Sequence, residues 1–156
     1  MIQTLIEPAI TVLHVTSDSF NAMQSIPKKF TCDGVNVNPA LHIESIPLNA
    51  VCLAIVLDDP DAPINTWNHW LVWNIPITHL ITENSKKGIT GMNDFSKHFY
   101  CGPCPMNGLH HYVFKVYALD KLLQLNAQTR KHQFEKAISG HVLAYGELIG
   151  TYALNH

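Results

Sequence analysis

The chain has no apolar run near the roughly 18 residues that a membrane-spanning helix requires, and its 156 residues include only 4 cysteines. The first lack argues against a helical membrane anchor. The start, Met1 to Val15, has no basic region and carries Glu7 and Pro8, so no secretory leader is read there. The second lack argues against a small scaffold built on disulfides, because Cys32, Cys52, Cys101 and Cys104 are few and scattered. Together these point to the cytoplasm, or to the periplasm if a leader has been removed. Charge is scarce too. Charged residues make up 14%, and 10 Lys+Arg against 12 Asp+Glu leave a formal net charge of -2. That balance offers no basic face to nucleic acid. No repeat, linker or low-complexity stretch divides the chain, which reads as a single domain over residues 1–156.

Apolar residues are plentiful, at 47%, enough for one sizeable core. Histidine is frequent, with 10 copies. Protonating a few of them turns the net charge positive below about pH 6.5, so anion binding is expected to depend on pH. Proline and glycine punctuate the chain into short segments, the pattern of a β-sandwich or barrel. Ala9 to Val15 reads as a first strand. Val51 to Leu57 is a continuous apolar run stopped by Asp58, the signature of a strand buried on both faces. His69 to Ile75, ended by Pro76, and Tyr112 to Leu119, ended by Asp120, are two further central strands. A helix is predicted over Thr129 to Ser139, with Thr129 as its cap and Gly140 as its stop. The tail reads as a short strand followed by another over Glu147 to Ala153. Strands do not alternate with helices, which excludes a doubly wound α/β sheet.

Polar residues gather at the ends of the central strands. The first exits into Asp58-Asp59-Pro60-Asp61-Ala62-Pro63, where two prolines fix the backbone and hold the Asp59 and Asp61 carboxylates in a set relation. Trp67-Asn68-His69-Trp70 opens the second. Strict alternation there places His69 with Leu71 and Trp73 on one face, and Trp70 with Val72 on the other. The loop Tyr100-Cys101-Gly102-Pro103-Cys104-Pro105-Met106-Asn107-Gly108 leads into Leu109-His110-His111-Tyr112. His110 and Tyr112 share a face, with His111 opposite. Taken singly, these are an acidic turn, a structural histidine and a long loop.

Together and in this order they resemble the phosphatidylethanolamine-binding protein family, particularly its short bacterial branch, often called Raf-kinase-inhibitor-like. The resemblance rests on D-P-D-A-P at 59–63, W-N-H-W at 67–70, and the stretch from Tyr100 to Tyr112. It is extended by F-T-C-D-G at 30–34, V-Y-A-L-D at 116–120 and G-H-V-L-A at 140–144. It implies a mainly β fold, an antiparallel Greek-key β-sandwich with one or two short helices near the C-terminus. It also implies a small anion pocket built from Asp59, Asp61, Pro63, Trp67, His69, Gly102, Cys104, Pro105, His110 and Tyr112. The implied ligand is a phosphate-like anion or phospholipid head group, bound without catalysis and without a cofactor or metal. A kinase or protease is the implied class of protein partner. His111 stands where the family usually has Arg, and Met106 where it has a second Pro.

Two acidic groups beside an anion cost roughly 4 kcal/mol each at about 4 Å and an effective dielectric near 20. Imidazolium at His69 and His110, a protonated Asp, loop N–H groups or the Tyr112 hydroxyl must offset that. On this reading, replacing Asp61 or His69 by Ala abolishes binding. Three other readings compete. Cys101-Gly102-Pro103-Cys104 is the C-G-P-C of thiol–disulfide enzymes, but Pro105, Asn107 and Gly108 forbid the helix that activates its first cysteine. A Cys101–Cys104 disulfide stays open. The same cysteines with His69, His110, His111 and the Asp pair include zinc ligands, at a spacing that is not that of a zinc finger. Trp67 and Trp70, if exposed, suit a protein partner or a homodimer; otherwise they are core aromatics.

Overall fold

The computed structural model describes residues 10–154. Nine strands, β1 (Thr11–Val12), β2 (His14–Thr16), β3 (Leu41–Glu44), β4 (Cys52–Asp59), β5 (Trp67–Ile75), β6 (Leu80–Ile81), β7 (Ile89–Thr90), β8 (His110–Leu119) and β9 (Val142–Tyr152), form two sheets among the described residues. The larger has the order β1-β9-β8-β4-β5-β7 and the smaller β2-β3-β6. One α-helix, α1 (Lys131–Ile138), and a short 3-10 turn at Lys28–Phe30 complete the elements. The fold is therefore the expected mainly β sandwich, with one departure from antiparallel pairing. The short β1 runs parallel to β9, with Thr11 opposite Ala144.

The apolar run of β4 is buried along its whole length because it is covered on both sides. Leu53, Ile55 and Leu57 face the smaller sheet and join a core with Leu41, Ile43, Trp70, Phe114 and Val116. Cys52, Ala54 and Val56 face the other way, where Phe134 and Ile138 of α1 pack with Leu71 and Trp73. Trp70 is thus a core residue, and Cys52 fills a small core position.

Three predicted details are corrected. Ala9, the start of the expected first strand, lies outside the described residues, and the remainder divides into β1 and β2 around Leu13. The tail is one long strand, β9, rather than two, because it pairs with β8 from Val142 to Tyr152; Gly146 and Gly150 survive within it where Leu13 and Ile26 press against the backbone. Thr129 does not cap α1. It is buried, and Arg130 takes the cap position with its N–H donated to Gln133 Oε1 at 3.1 Å.

Candidate functional site

The strand ends converge for a topological reason. β4 pairs antiparallel with both β5 and β8, so its C-terminal end lies beside the N-terminal ends of the other two. Asp59 sits opposite Trp67, and Asp58 opposite both Asn68 and Val113. A cavity of about 400 Å³ opens at this edge, lined by Asp59, Pro63, Trp67, His69, Cys104, Pro105 and His110. Ile64, Phe95 and Met106 complete most of its apolar wall.

His69 reaches the cavity through an irregularity. Leu57 pairs with Trp70 and Asp58 with Asn68, so His69 is the extra residue of a β-bulge. The alternation expected from the sequence, with His69 on the face of Leu71, is overturned. The bulge turns the ring instead toward Tyr112, with ring centroids 5.4 Å apart. Phe95 covers another edge at 5.0 Å. Nδ1 of His69 points at the carbonyls of Cys101 and Gly102, at 2.8 and 3.1 Å. Both partners are acceptors, so Nδ1 carries the hydrogen and Nε2 is the nitrogen left to the cavity. Burial pushes the His69 pKa below the usual histidine value, against the opposing pull of those carbonyls and the Asp59 charge. Burial thus favours the neutral ring, and with Nδ1 protonated that form carries its lone pair at Nε2.

Asp59 is buried. Its Oδ1 accepts the Asp61 N–H at 2.8 Å, closing the turn over Pro60, and its Oδ2 accepts Nδ1–H of His110 at 2.6 Å. His110 in turn stacks on Tyr112, with centroids 6.4 Å apart. Tyr112 lies behind the floor, fully buried. Asp59 and the Cys104 backbone lie near its hydroxyl, yet neither makes a hydrogen bond with it. Burial, reinforced by the Asp59 charge, pushes the phenol well above its ordinary pKa, so it is a neutral O–H at any physiological pH.

Three of the ten predicted residues do not line the cavity. Tyr112 is behind it. Gly102 is beneath His69, where its carbonyl holds the ring and Phe30 leaves no room for a Cβ. Asp61 turns outward, where its Oδ2 accepts the backbone N–H and Nδ1–H of His111 at 2.8 and 2.7 Å. Those bonds hold its carboxyl below the usual carboxylate range. The cavity therefore contains one carboxylate, not two, and His111 serves Asp61 rather than the cavity.

Several contributors escaped sequence reading. Phe95 closes edge-on against both Trp67, at 5.7 Å, and His69. It is placed by Asn93, whose buried side chain donates to the His69 and Phe99 carbonyls and accepts the Phe95 N–H. The Asn93-Asp94 pair was the only available signal, a turn-forming dipeptide. Trp67, 39% exposed, is a cavity wall rather than a patch on an open face.

The cysteines are arranged differently from either expectation. Cys104 is bonded to Cys32, 72 positions away, and Cys101 is a free thiol. Cys101 lies in extended loop, not at a helix N-terminus, and burial raises its pKa. That is the reverse of an attacking thiolate. Among the described residues, no group of three or more His, Cys, Asp or Glu side chains gathers as for a metal ion, and no helix is long and apolar enough to cross a membrane.

A β-sandwich with a small, mostly apolar cavity where three strand ends meet defines a class of ligand-binding protein. Comparison with known proteins gives the class its family. The family model described as phosphatidylethanolamine-binding protein matches residues 16–153. A UPF0098 protein of Pyrococcus abyssi is 46% identical over 147 residues, covering 87% of this chain and 83% of that one. A UPF0098 protein of Chlamydia muridarum is 39% identical over 147 residues, covering 90% and 98%. The crystal structure of a phosphatidylethanolamine-binding protein homologue from Chlamydia trachomatis superposes with a TM-score of 0.89 at 34% identity, covering 93% of this chain and 99% of that one. Escherichia coli YbcL, described as a member of the mammalian family, gives 0.85 at 25% identity, covering 92% and 99%. This chain belongs to the phosphatidylethanolamine-binding protein family.

Proposed function

We propose that the chain is a non-catalytic binding protein whose cavity takes a phosphate monoester of the phosphoethanolamine type, and that binding brings a proton with it. The observation that carries this is the state of His69. Its Nδ1–H is committed to two backbone carbonyls and its Nε2 is presented to a largely apolar cavity. The carbonyls stabilise a cationic ring, and only burial holds it neutral. An anion seated against Nε2 tips that balance. Phosphate monoesters lose their second proton near pH 6, so at pH 7.5 the phosphate of the free ligand is largely dianionic, while its ammonium group keeps its proton. Among the described residues, no Lys or Arg lines the cavity to meet the phosphate. A proton taken up by His69, or retained on the phosphate to donate to Nε2, supplies the missing charge. His110 already occupies one oxygen of Asp59 at 2.6 Å, and the outward turn of Asp61 removes one repulsion.

The apolar collar of Ile64, Trp67, Phe95 and Met106 suits a substituent on the phosphate rather than the bare ion. Cys104, the cysteine at the cavity, is tied in a disulfide and has no thiol to attack with. This favours binding over catalysis.

The test is calorimetric titration with phosphoethanolamine at pH 7.5 in buffers of differing ionisation enthalpy. Uptake of about one proton per ligand is expected, with affinity rising from pH 8 to pH 6. His69→Ala is expected to weaken binding about 10- to 100-fold, the worth of a charge-assisted hydrogen bond. No binding, or binding with no proton uptake, sinks the reading.

A further inference from the structure

The loop that walls the cavity is held differently along its length. Up to Pro103 it is fixed by hydrogen bonds. Tyr100 Oη donates to the Phe30 carbonyl at 2.8 Å, Gly102 N–H to Asn36 Oδ1 at 2.7 Å, and Cys32 N–H to the Pro103 carbonyl at 3.1 Å. The His69 ring and the Cys101 N–H to His69 carbonyl bond add to these. From Pro105 to Leu109 the backbone makes no hydrogen bond among the described residues. Met106, 81% exposed, and Leu109, 59% exposed, bury little that could hold them. Beyond the burial of Pro105 and the run of the chain into β8 at His110, the bond from Cys104 to Cys32 is the tie between this stretch and the body of the protein. Cys104, Pro105 and Met106 are also the residues it contributes to the cavity. Both bonded cysteines lie at exposed positions, where a small reductant can reach them. Exposed disulfides of this kind are the labile ones.

We infer that the Cys32–Cys104 disulfide is a redox gate on the cavity: oxidised, it holds the 104–109 wall in place; reduced, it frees that wall and ligand affinity falls while the sandwich stays folded. The inference rests on the cavity being the ligand site. Reduction needs a dithiol. One of its thiolates attacks a sulfur of the pair and forms a mixed disulfide, expelling the other cysteine as a thiolate. The second dithiol sulfur then displaces the remaining cysteine and closes a cyclic disulfide. Two electrons pass to the protein, and Cys32 and Cys104 end as thiols once protonated. The fold does not hang on the bond, because the hydrogen bonds from Tyr100, Gly102 and Cys32 join the same two segments without it. His69 keeps its anchor, since Cys101 and Gly102 lie on the hydrogen-bonded side of the loop.

The test compares oxidised protein, dithiothreitol-reduced protein and a reduced Cys32→Ser variant, which alters the tether without touching the cavity lining. Limited proteolysis within residues 105–109 is expected to run about tenfold or more faster in both reduced samples, with β8 from Tyr112 to Leu119 uncut. Phosphoethanolamine affinity is expected to fall by about tenfold or more in both. An unchanged cleavage rate within 105–109 overturns the gate, whatever the ligand does. Cleavage that accelerates with unaltered affinity overturns its link to binding. Oxidised protein that does not bind phosphoethanolamine overturns the reading of the cavity and the ligand half of the gate with it, while the proteolysis comparison still decides whether the wall is released.

Discussion

His69 is the residue on which burial and function pull in opposite directions. A folded-state pKa lowered below the unfolded value means that the unfolded chain binds the proton more readily. The contribution of His69 to stability is therefore complete above about pH 6.5 and is lost as the pH falls through the folded pKa. Denaturant midpoints of the unliganded protein should decline from pH 7 toward pH 5 by more in the native protein than in His69→Gln, which has no proton to gain. Saturating phosphoethanolamine should flatten that decline, because the bound anion favours the charged ring. Asp61 provides a second residue-scale contrast. It faces solvent and His111 rather than the cavity, so Asp61→Ala should leave phosphoethanolamine affinity within about threefold, well under the tenfold of 1.4 kcal/mol. The sequence alone suggested the opposite, because D-P-D names two carboxylates without saying which way each turns.

At the scale of elements, the far face of the larger sheet is held by one charge cluster and one aromatic plug. Asp58, 1% exposed, receives Lys115 Nζ at 3.0 Å and Lys131 Nζ at 2.6 Å on one oxygen, and Asn68 Nδ2 at 3.1 Å on the other. Lys131 comes from α1, so this carboxylate ties the helix to β4 and β8. Asp58 and Asp59 are neighbours in the chain yet serve opposite faces of the sheet, one structural and one in the cavity. Phe134 of α1 is fully buried among Trp73, Tyr117 and their neighbours. Phe134→Ala should cost about 3–5 kcal/mol, read as a lower urea midpoint. The three central strand segments and the segment that forms α1 were legible because apolar runs and turn residues announce themselves locally. The bulge at His69 was not, since a strand pattern records which residues are apolar and not where pairing with a distant strand slips by one. The single span of β9 was hidden for a similar reason. Its glycines look like breaks until Leu13 and Ile26 are seen to occupy the space their side chains would fill.

For the whole molecule, the Cys32–Cys104 bond closes the longest covalent constraint among the described residues. A loop spanning 72 positions restricts the unfolded chain, so reduction should lower unfolding free energy by about 2–4 kcal/mol even though the native sandwich persists. Equilibrium unfolding in urea with and without dithiothreitol measures this, and peptide mapping of unreduced protein should recover Cys32 joined to Cys104 with Cys52 and Cys101 as thiols. Retention of ligand affinity would be a separate matter from stability, which is why the gate is read by proteolysis of the cavity wall.

The amino-acid order by itself determined that this chain would bury three apolar strands, and that acidic, imidazole and aromatic groups would stand at their ends. Those are consequences of local composition, of prolines that stop strands and of an apolar run too continuous to face water. Tertiary structure decided which of those groups share a cavity. Antiparallel pairing of β4 with both neighbours brought the ends together, a bulge turned His69 inward, His111 drew Asp61 outward, and Cys32 claimed Cys104. Each of these depends on a partner in another segment, in the case of Cys32 and Cys104 72 positions away, and distance along the chain carries no record of which partner wins.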